Sequence, residues 1–261
     1  MIHHYAGGTV PASVTGDGPE VWVFHSLLAD ASSCTPLAAA LSARHRVVVP
    51  DLPGFGGSAP VAAGLEPVAD RLAACIAEAG AKSGGPVAII GNGYGSFVAL
   101  TLALRHPALV SRLVLAGTGA VFDEPGRSAF RGMAGAAGSK GLAAIADTAM
   151  RRLFSPSFQD ANPALVAERR ERFLATDPTL FISACNALAT LDLRAAVAGL
   201  RVPTLILTGA LDEATPPDMA RELATLLPGA VMAELPGLAH VPQLQDTPAF
   251  VAALGDFLYP P

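Results

Sequence analysis

The chain has 261 residues, and 51% of them are apolar, which is enough for one large hydrophobic core in a single α/β domain. Charged residues make up 15% of the chain and leave a formal net charge of −5, with no basic cluster that would neutralise phosphates or hold an anionic bilayer. We therefore expect neither a nucleic acid nor a membrane as a partner.

The first residues and the cysteines bear on the cellular compartment. Met1-Ile-His-His-Tyr5 lacks the basic and apolar segments of a secretory signal, and no later apolar segment is long enough to span a bilayer. Cys34, Cys75 and Cys185 are odd in number and far apart, which fits neither a disulfide framework nor a set of zinc ligands. We expect a cytoplasmic protein with reduced thiols, no metal and no other cofactor.

Short β-branched runs alternate with longer Ala- and Leu-rich stretches along most of the chain. The predicted strands are Val21–Phe24, Arg46–Val49, Val87–Ile90, Arg112–Leu115, Thr204–Leu207 and Val231–Leu235. The predicted helices among and after them are Val68–Ala79, Phe97–Arg105, Pro217–Leu227 and Pro248–Phe257. Such alternation predicts an α/β fold with a doubly wound, mostly parallel sheet covered by helices on both faces.

One long segment interrupts this alternation. Residues 121–193 show only helical patterns, over Leu142–Phe154, Pro163–Ala175 and Thr179–Leu191. We interpret the segment as a helical cap over a core formed by residues 1–120 and 194–261. The glycine-rich stretch Gly132–Gly141 within it predicts a mobile part of the cap.

Ligands bind parallel sheets at the carboxyl ends of the strands, so the loops that leave those ends are the candidate site. His25-Ser26-Leu27 follows the first predicted strand, and Gly91-Asn92-Gly93-Tyr94-Gly95 joins the third strand directly to a helix. In this tight turn the backbone N–H of Tyr94 lies at a helix N-terminus, which favours negative charge. Together with the N–H of Leu27 it predicts an oxyanion hole for acyl chemistry.

Two further loops carry a candidate acid and base. Asp212 follows the fifth predicted strand and His240 follows the sixth, so both are expected at the same sheet edge as Gly93. Asp212 alternatively caps the helix that begins near Pro216, and a histidine after a strand is alternatively a core or surface residue. The order of nucleophile position, acid and base along the chain is that of the α/β-hydrolases.

The chain resembles the α/β-hydrolase superfamily over nearly its whole length, in these loops and in the loop Asp51-Leu-Pro-Gly-Phe-Gly-Gly-Ser58. Within it the chain is similar to the 3-oxoadipate enol-lactonase branch, on His25-Ser26-Leu27, the stretch from Cys185 to Arg194, and Thr215-Pro-Pro217. The resemblance implies an esterase or lactonase that acts on a small-molecule carbonyl substrate. The resemblance also implies that His240 is the general base, that Asp212 orients it, and that Ser26, His25 and Asn92 lie around the substrate. His25 alternatively braces its loop through hydrogen bonds without contacting the substrate.

The chain departs from this family at the nucleophile. The family pattern Gly-x-Ser-x-Gly reads Gly91-Asn92-Gly93-Tyr94-Gly95 here, and a glycine has no side-chain oxygen with which to form an acyl-enzyme. Three explanations stay open: a deliberate Ser-to-Gly knock-out, a natural enzyme with a different mechanism, or a pseudoenzyme that only binds. In the second, His240 activates a water held in the space that the serine leaves, or moves a proton in a lyase or isomerase reaction.

Other side chains could take part in such a site. Ser26 is a better substitute nucleophile than Ser96, which is expected to point away from the crevice, although positioning and substrate binding are the expected roles of Ser26. The pairs Arg151-Arg152 and Arg169-Arg170 in the predicted cap are either solvated or bind a substrate carboxylate. The sequence gives no indication of the oligomeric state.

Overall fold

The computed structural model of the chain describes residues 1–83 and 85–258, without the side chains of residues 81–83. Eight strands form one sheet. They are β1 (Ile2–Tyr5), β2 (Val10–Thr15), β3 (Glu20–Phe24), β4 (Arg46–Pro50), β5 (Val87–Asn92), β6 (Val110–Ala116), β7 (Thr204–Gly209) and β8 (Val231–Leu235).

The strand order in the sheet is β1-β2-β4-β3-β5-β6-β7-β8. The strands from β3 to β8 pair in parallel, whereas β2 pairs antiparallel with both β1 and β4. The six predicted strands are confirmed, with bounds that differ by three residues or fewer. The pair β1 and β2 was not predicted.

Helices cover both faces of the sheet, as the alternating pattern predicted. They are α1 (Thr35–Leu41), α2 (Leu65–Ser83), α3 (Tyr94–Arg105), α4 (Glu124–Lys140), α5 (Ala146–Leu153), α6 (Pro156–Ala161), α7 (Pro163–Leu174), α8 (Pro178–Ala189), α9 (Arg194–Val197), α10 (Pro217–Leu226), α11 (Pro242–Gln245) and α12 (Thr247–Leu254). The fold is thus that of the α/β-hydrolases, with a mostly parallel sheet between two helical layers.

Strand β3 shows why the sheet is buried on both sides. Trp22 and Phe24 pack into one apolar cluster, which includes α2, α3 and the helices that follow β6. Val21 and Val23 point to the opposite face and pack against α1 and α12. Because side chains alternate along a strand, a continuously apolar strand has to be covered on both faces.

Helices α4 to α8 lie between β6 and β7, within the segment predicted to form a cap. At the two ends of this segment Val121 and Asp192 form an isolated antiparallel bridge. The glycine-rich Gly132–Gly141 stretch is mostly helical, since α4 continues through Lys140 and packs along α8, and its mobility stays a prediction. Buried side chains such as Met133 fix α4 in place despite the low helix propensity of its glycines. The division into core and cap stays a prediction.

Among the described residues, none of the helices combines the length and the apolar composition needed to cross a bilayer.

Candidate active site

The turn between β5 and α3 is sharp and contains Gly93. Gly93 has φ +54° and ψ −122°, a conformation that residues with a β-carbon rarely adopt. The turn also packs tightly, since a β-carbon at Gly95 would lie 2.4 Å from the carbonyl oxygen of Phe24. These glycines place the first residue of α3, Tyr94, at the carboxyl edge of the sheet.

The loop after β3 lies beside this turn because Phe24 pairs with Gly91 in the parallel register. His25 in this loop is fully buried, and its Nε2 accepts a hydrogen bond from the backbone N–H of Leu52 at 3.2 Å. Its Nδ1 therefore carries the proton and donates to the carbonyl oxygen of Ser26 at 3.0 Å. Burial also lowers the pKa of His25, so the ring is neutral.

Of the two expected roles of His25, these contacts favour structural support of the loop over substrate binding. Both ring nitrogens are engaged with backbone groups, and the ring packs edge-on against Phe55 instead of lining the site. His25 supports the loop that carries Ser26 and Leu27.

Asp212 lies in the loop after β7, and its carboxylate is held by three donors. Oδ1 accepts from the backbone N–H groups of Ala214 and Thr215 at 2.8 and 2.9 Å, and Oδ2 accepts from Thr215 Oγ1 at 2.7 Å. The Asp212 side chain is fully buried. A buried carboxylate with this many donors is fixed in both position and orientation.

His240, in the loop after β8, completes an acid–base pair with Asp212. Its Nδ1 lies 2.9 Å from Asp212 Oδ2 and 3.3 Å from Thr215 Oγ1. Since a carboxylate only accepts hydrogen bonds, the proton of the neutral ring is on Nδ1, and Nε2 has a free lone pair. The side chain is 6% exposed, and Nε2 lies 3.3 Å from Ser26 Oγ.

The position of Ser26 changes the interpretation of Gly93. A β-carbon added at Gly93 would lie 2.5 Å from Ser26 Oγ and 2.6 Å from His240 Nε2. The space beside the glycine is therefore filled by these two side chains. A water molecule between His240 and the backbone donors stays a prediction, since these groups line a cavity large enough to hold one.

Asn92 supports the histidine loop and does not line the site, which corrects its assignment to substrate binding. Its Nδ2 donates to the carbonyl oxygen of His240 at 2.8 Å, and its Oδ1 accepts from Gln243 Nε2 at 3.1 Å. Gln243 was not singled out from the sequence. Its place three residues after His240 is the signal that could have identified it.

Ser96 points away from the site, as expected. Its Oγ donates to the carbonyl oxygens of Gly93 and Gly117 at 2.6 and 3.2 Å, inside the turn. The three cysteines are buried as well. Burial raises the pKa of each thiol to about 12, so none of them is a thiolate at neutral pH.

A narrow cavity of about 30 Å³ lies above the acid–base pair. Side chains from the sheet loops, from α3 and from the helices after β6 line it. They include Ser26, Leu27, Leu28, Tyr94, Phe97, Phe122, Phe130, Met133, Arg152, Leu188, Thr215 and His240, together with Gly93. In the described part of the chain, the backbone N–H groups of Leu27 and Tyr94 donate to no carbonyl or side chain.

Arg152 is the one guanidinium in the cavity lining. Two other arginines of these helices are ion-paired, Arg169 with Asp30 at 3.2 Å and Arg170 with Asp147 at 3.3 Å. Over residues 1–83 and 85–258, no carboxylate lies within ion-pairing distance of Arg152. The same residues contain no group of three or more side chains suited to hold a metal ion.

Known proteins share this fold and much of the sequence. The chain is 30% identical over 249 residues to the pimeloyl-[acyl-carrier protein] methyl ester esterase of Chromobacterium violaceum, covering 93% of this chain and 95% of the esterase. It is 29% identical to 3-oxoadipate enol-lactonase 1 of Acinetobacter baylyi, covering 82% and 80% of the two chains. It also matches the polyketide synthase ThaQ of Burkholderia thailandensis, but spans 12% of the length of that protein.

Among solved structures, the enol-lactonase of Burkholderia xenovorans superposes with a TM-score of 0.90 at 27% identity, over the whole of both chains. The model of the alpha/beta hydrolase family matches residues 6–254. The similarity to enol-lactonases that the sequence indicated is thus found, alongside similarity to esterases. The chain belongs to the α/β-hydrolase family.

Proposed function

We propose that this protein is an enzyme that hydrolyses a small ester or lactone in the cavity above His240. One observation carries the proposal: the free lone pair of His240 Nε2 opens into the cavity while its Nδ1 is held by the buried carboxylate of Asp212. This arrangement fits a general base that removes a proton from an attacking hydroxyl group.

The backbone N–H groups of Leu27 and Tyr94 suit the charge that develops in ester hydrolysis. Attack on a carbonyl makes its oxygen negative, and unpaired N–H donors in a water-poor site stabilise that oxygen strongly. Both residues line the same cavity as His240, and the N–H of Tyr94 is at the start of α3, where the helix dipole adds to the effect. We assign these two groups the role of an oxyanion hole.

The rest of the cavity supports a small, partly apolar substrate. Leu28, Phe97, Phe122 and Met133 surround the polar groups and exclude bulk water. The names of the esterase and enol-lactonase relatives indicate that they act on carbonyl compounds of this kind. The reaction needs no cofactor, because the base and the oxyanion donors come from the chain itself.

Arg152 extends the proposal to the charge of the substrate. An arginine without a carboxylate partner in a mostly apolar cavity is suited to bind an anion through charge-assisted hydrogen bonds. We therefore assign the substrate a carboxylate or similar anionic group at the end away from the scissile bond.

The proposal is tested by hydrolysis assays in ¹⁸O-labelled water with p-nitrophenyl acetate, p-nitrophenyl butyrate and an enol-lactone. We expect turnover by the unmodified protein, with one solvent oxygen in the acid product. A product without solvent oxygen would indicate a lyase or isomerase reaction. Tight binding of the esters without turnover would indicate a binding protein, and either result rejects the hydrolase.

The substrate charge is tested with a matched pair of arginine variants. Arg152→Met should raise KM for monomethyl succinate by about tenfold and leave methyl butyrate hydrolysis unchanged. Only monomethyl succinate has a carboxylate, and the variant removes the guanidinium that would bind it. Arg151→Met is the control, since Arg151 is exposed and donates to Thr148. Equal effects of Arg152→Met on both esters would contradict an anion-binding role.

A further inference from the structure

We infer that Ser26, in the loop after β3, is the nucleophile of this protein and replaces the serine that the β5–α3 turn lacks. The inference rests on the proposed hydrolase function and adds the residue that attacks the substrate. It is based on where Ser26 Oγ lies relative to His240 and Gly93.

Ser26 Oγ has the contact that a nucleophile needs. It lies 3.3 Å from His240 Nε2, on the side of the ring opposite Asp212, so Ser26, His240 and Asp212 form a continuous hydrogen-bonded series. A distance of this length before substrate binds is common for catalytic hydroxyl groups and shortens in the complex. Ser26 also lines the cavity, although the residue as a whole is 1% exposed.

Gly93 is the reason that Ser26 can approach His240 in this way. Ser26 Oγ lies 2.5 Å from the point where a β-carbon of residue 93 would be, which is closer than two such atoms can pack. With any larger residue at position 93, Ser26 Oγ would have to move. The position of the Ser26 hydroxyl therefore requires that residue 93 has no side chain.

The oxyanion donors also suit a nucleophile at Ser26. Leu27 follows Ser26 directly, and Tyr94 follows the glycine that Ser26 Oγ touches. Leu27 and Tyr94 also line the same cavity as Ser26 and His240. In the usual arrangement of this family the donor after the nucleophile is in the turn, whereas here it is in the loop after β3.

Other hydroxyl groups near the site are bound elsewhere. Thr215 Oγ1 donates to Asp212 Oδ2 and lies on the Nδ1 side of His240, away from the free lone pair. Ser96 Oγ donates to carbonyl oxygens inside the turn. Ser26 Oγ is the hydroxyl that meets Nε2.

The covalent steps balance without a further reagent. His240 Nε2 takes the proton of Ser26 as Oγ bonds to the carbonyl carbon, and the C–O bond to the leaving alcohol then breaks while His240 returns the proton to that alcohol. Water, deprotonated by His240, attacks the Ser26 ester. The acid leaves, and the proton returns to Ser26 Oγ.

The first test is a set of four proteins assayed on p-nitrophenyl butyrate: the unmodified chain, Ser26→Ala, Gly93→Ser and the double variant Gly93→Ser/Ser26→Ala. We expect Ser26→Ala to lose about a hundredfold or more in kcat/KM. The double variant should recover part of this activity, because it removes Ser26 Oγ from the β-carbon position of residue 93, where His240 Nε2 at 2.6 Å is then the closest remaining contact. Ser33→Ala is the control, since Ser33 is a buried serine of the same loop whose hydroxyl donates to the carbonyl oxygen of Asp30.

These results are decisive in both directions. Full activity of Ser26→Ala overturns the assignment. Loss of activity in Ser26→Ala together with an unlabelled Ser26 in the second test also overturns it, because Ser26 would then support the structure of the site without acting through its hydroxyl.

The second test identifies the modified residue and does not depend on turnover. A fluorophosphonate reacts with an activated serine, and peptide mass spectrometry then locates the adduct. We expect the adduct on Ser26 in the unmodified chain, none in Ser26→Ala, and an adduct on the new serine of the double variant. An unlabelled Ser26, or a label on another residue, overturns the inference even if the protein hydrolyses esters. Labelled Ser26 in a protein that hydrolyses no ester would instead overturn the proposed function alone.

Discussion

The two halves of the candidate site differ in how firmly they are held. The acid–base half consists of Asp212, Thr215 and His240, and every carboxylate oxygen there accepts at least one bond of 2.9 Å or less. The nucleophile half consists of Gly93 and Ser26, and its single contact with the histidine is 3.3 Å long. The base is held by Asp212 and Thr215, whereas the position of the Ser26 hydroxyl that it would activate depends on the absence of a side chain at residue 93.

Under the proposed function, this difference explains how the acid–base half forms without a serine at position 93. The groups that support His240 belong to the loops after β7 and β8, and none of them is residue 93. From the turn, only Asn92 contributes, because its Nδ2 donates to the carbonyl oxygen of His240. A glycine in the turn therefore leaves the acid–base half unchanged. The following variants disturb one half or the other, in order of decreasing expected effect.

The largest effect is expected from His240→Ala. Loss of the base should reduce kcat/KM for p-nitrophenyl butyrate by about a hundredfold to ten-thousandfold, since no other described group can take the proton at this point. His4→Ala, at an exposed position on β1, is the control. Full activity of His240→Ala would reject catalytic roles for both halves of the site, because both roles depend on His240 as the base.

Asp212→Asn is expected to act almost as strongly, by changing the tautomer of His240. The backbone N–H groups of Ala214 and Thr215 require an oxygen at Oδ1, so the amide of Asn would face His240 Nδ1. The ring proton would then move to Nε2, which removes the lone pair that faces Ser26.

We expect a loss of about a hundredfold or more in kcat/KM with little change in Tm, because Asn has nearly the size of Asp. The ¹⁵N chemical shifts of the His240 ring report the tautomer directly. Unchanged shifts together with unchanged activity would show that Asp212 merely caps its loop.

The sequence predicted the acid–base half better than the nucleophile half. Asp212 and His240 follow apolar β-strands, and the carboxyl ends of parallel strands meet at one edge, so a local pattern was enough to bring them together. The direction of a side chain within a loop has no such pattern. His25 and Asn92 were placed around the substrate for this reason, and their buried contacts with backbone groups became visible only in three dimensions.

Two parts of the fold escaped prediction for different physical reasons. Strand β1 has only four residues and β2 interleaves Pro11, Ser13 and Thr15 with apolar residues, so both lack the apolar runs that mark the parallel strands, and they pair antiparallel. Helix α4 contains glycines that oppose helix formation locally, but Phe130 and Met133 are buried by tertiary packing that the sequence does not display.

Gly93→Ala tests how closely the nucleophile half is packed. A methyl group there would push Ser26 Oγ away from His240 Nε2, and the residue would also keep an unfavourable φ of +54°. We expect a roughly tenfold lower kcat/KM and a loss of about 1–3 kcal/mol in the free energy of unfolding.

The control for this variant is Gly132→Ala. Gly132 lies in α4, where an added β-carbon meets no atom within 4 Å, so the variant should be more stable by about 0.5–1 kcal/mol with unchanged activity. Urea unfolding measures both changes. A Gly93→Ala protein with the activity and stability of the unmodified chain would mean that Ser26 and residue 93 are not in contact.

Thr215→Val should have the smallest effect of the series. It removes the bond from Thr215 Oγ1 to Asp212 Oδ2 while keeping the shape of the side chain, and the two backbone donors to Oδ1 remain. We expect a loss of about 1 kcal/mol in the free energy of unfolding and a decrease of about threefold in kcat/KM. Because redundant donors share the task of fixing the carboxylate, removing one of them should leave the His240 tautomer, and therefore its ¹⁵N shifts, unchanged. If Thr215→Val instead matched Asp212→Asn in activity and in ring shifts, the acid–base half would depend on a single hydroxyl, and it would be as finely balanced as the nucleophile half.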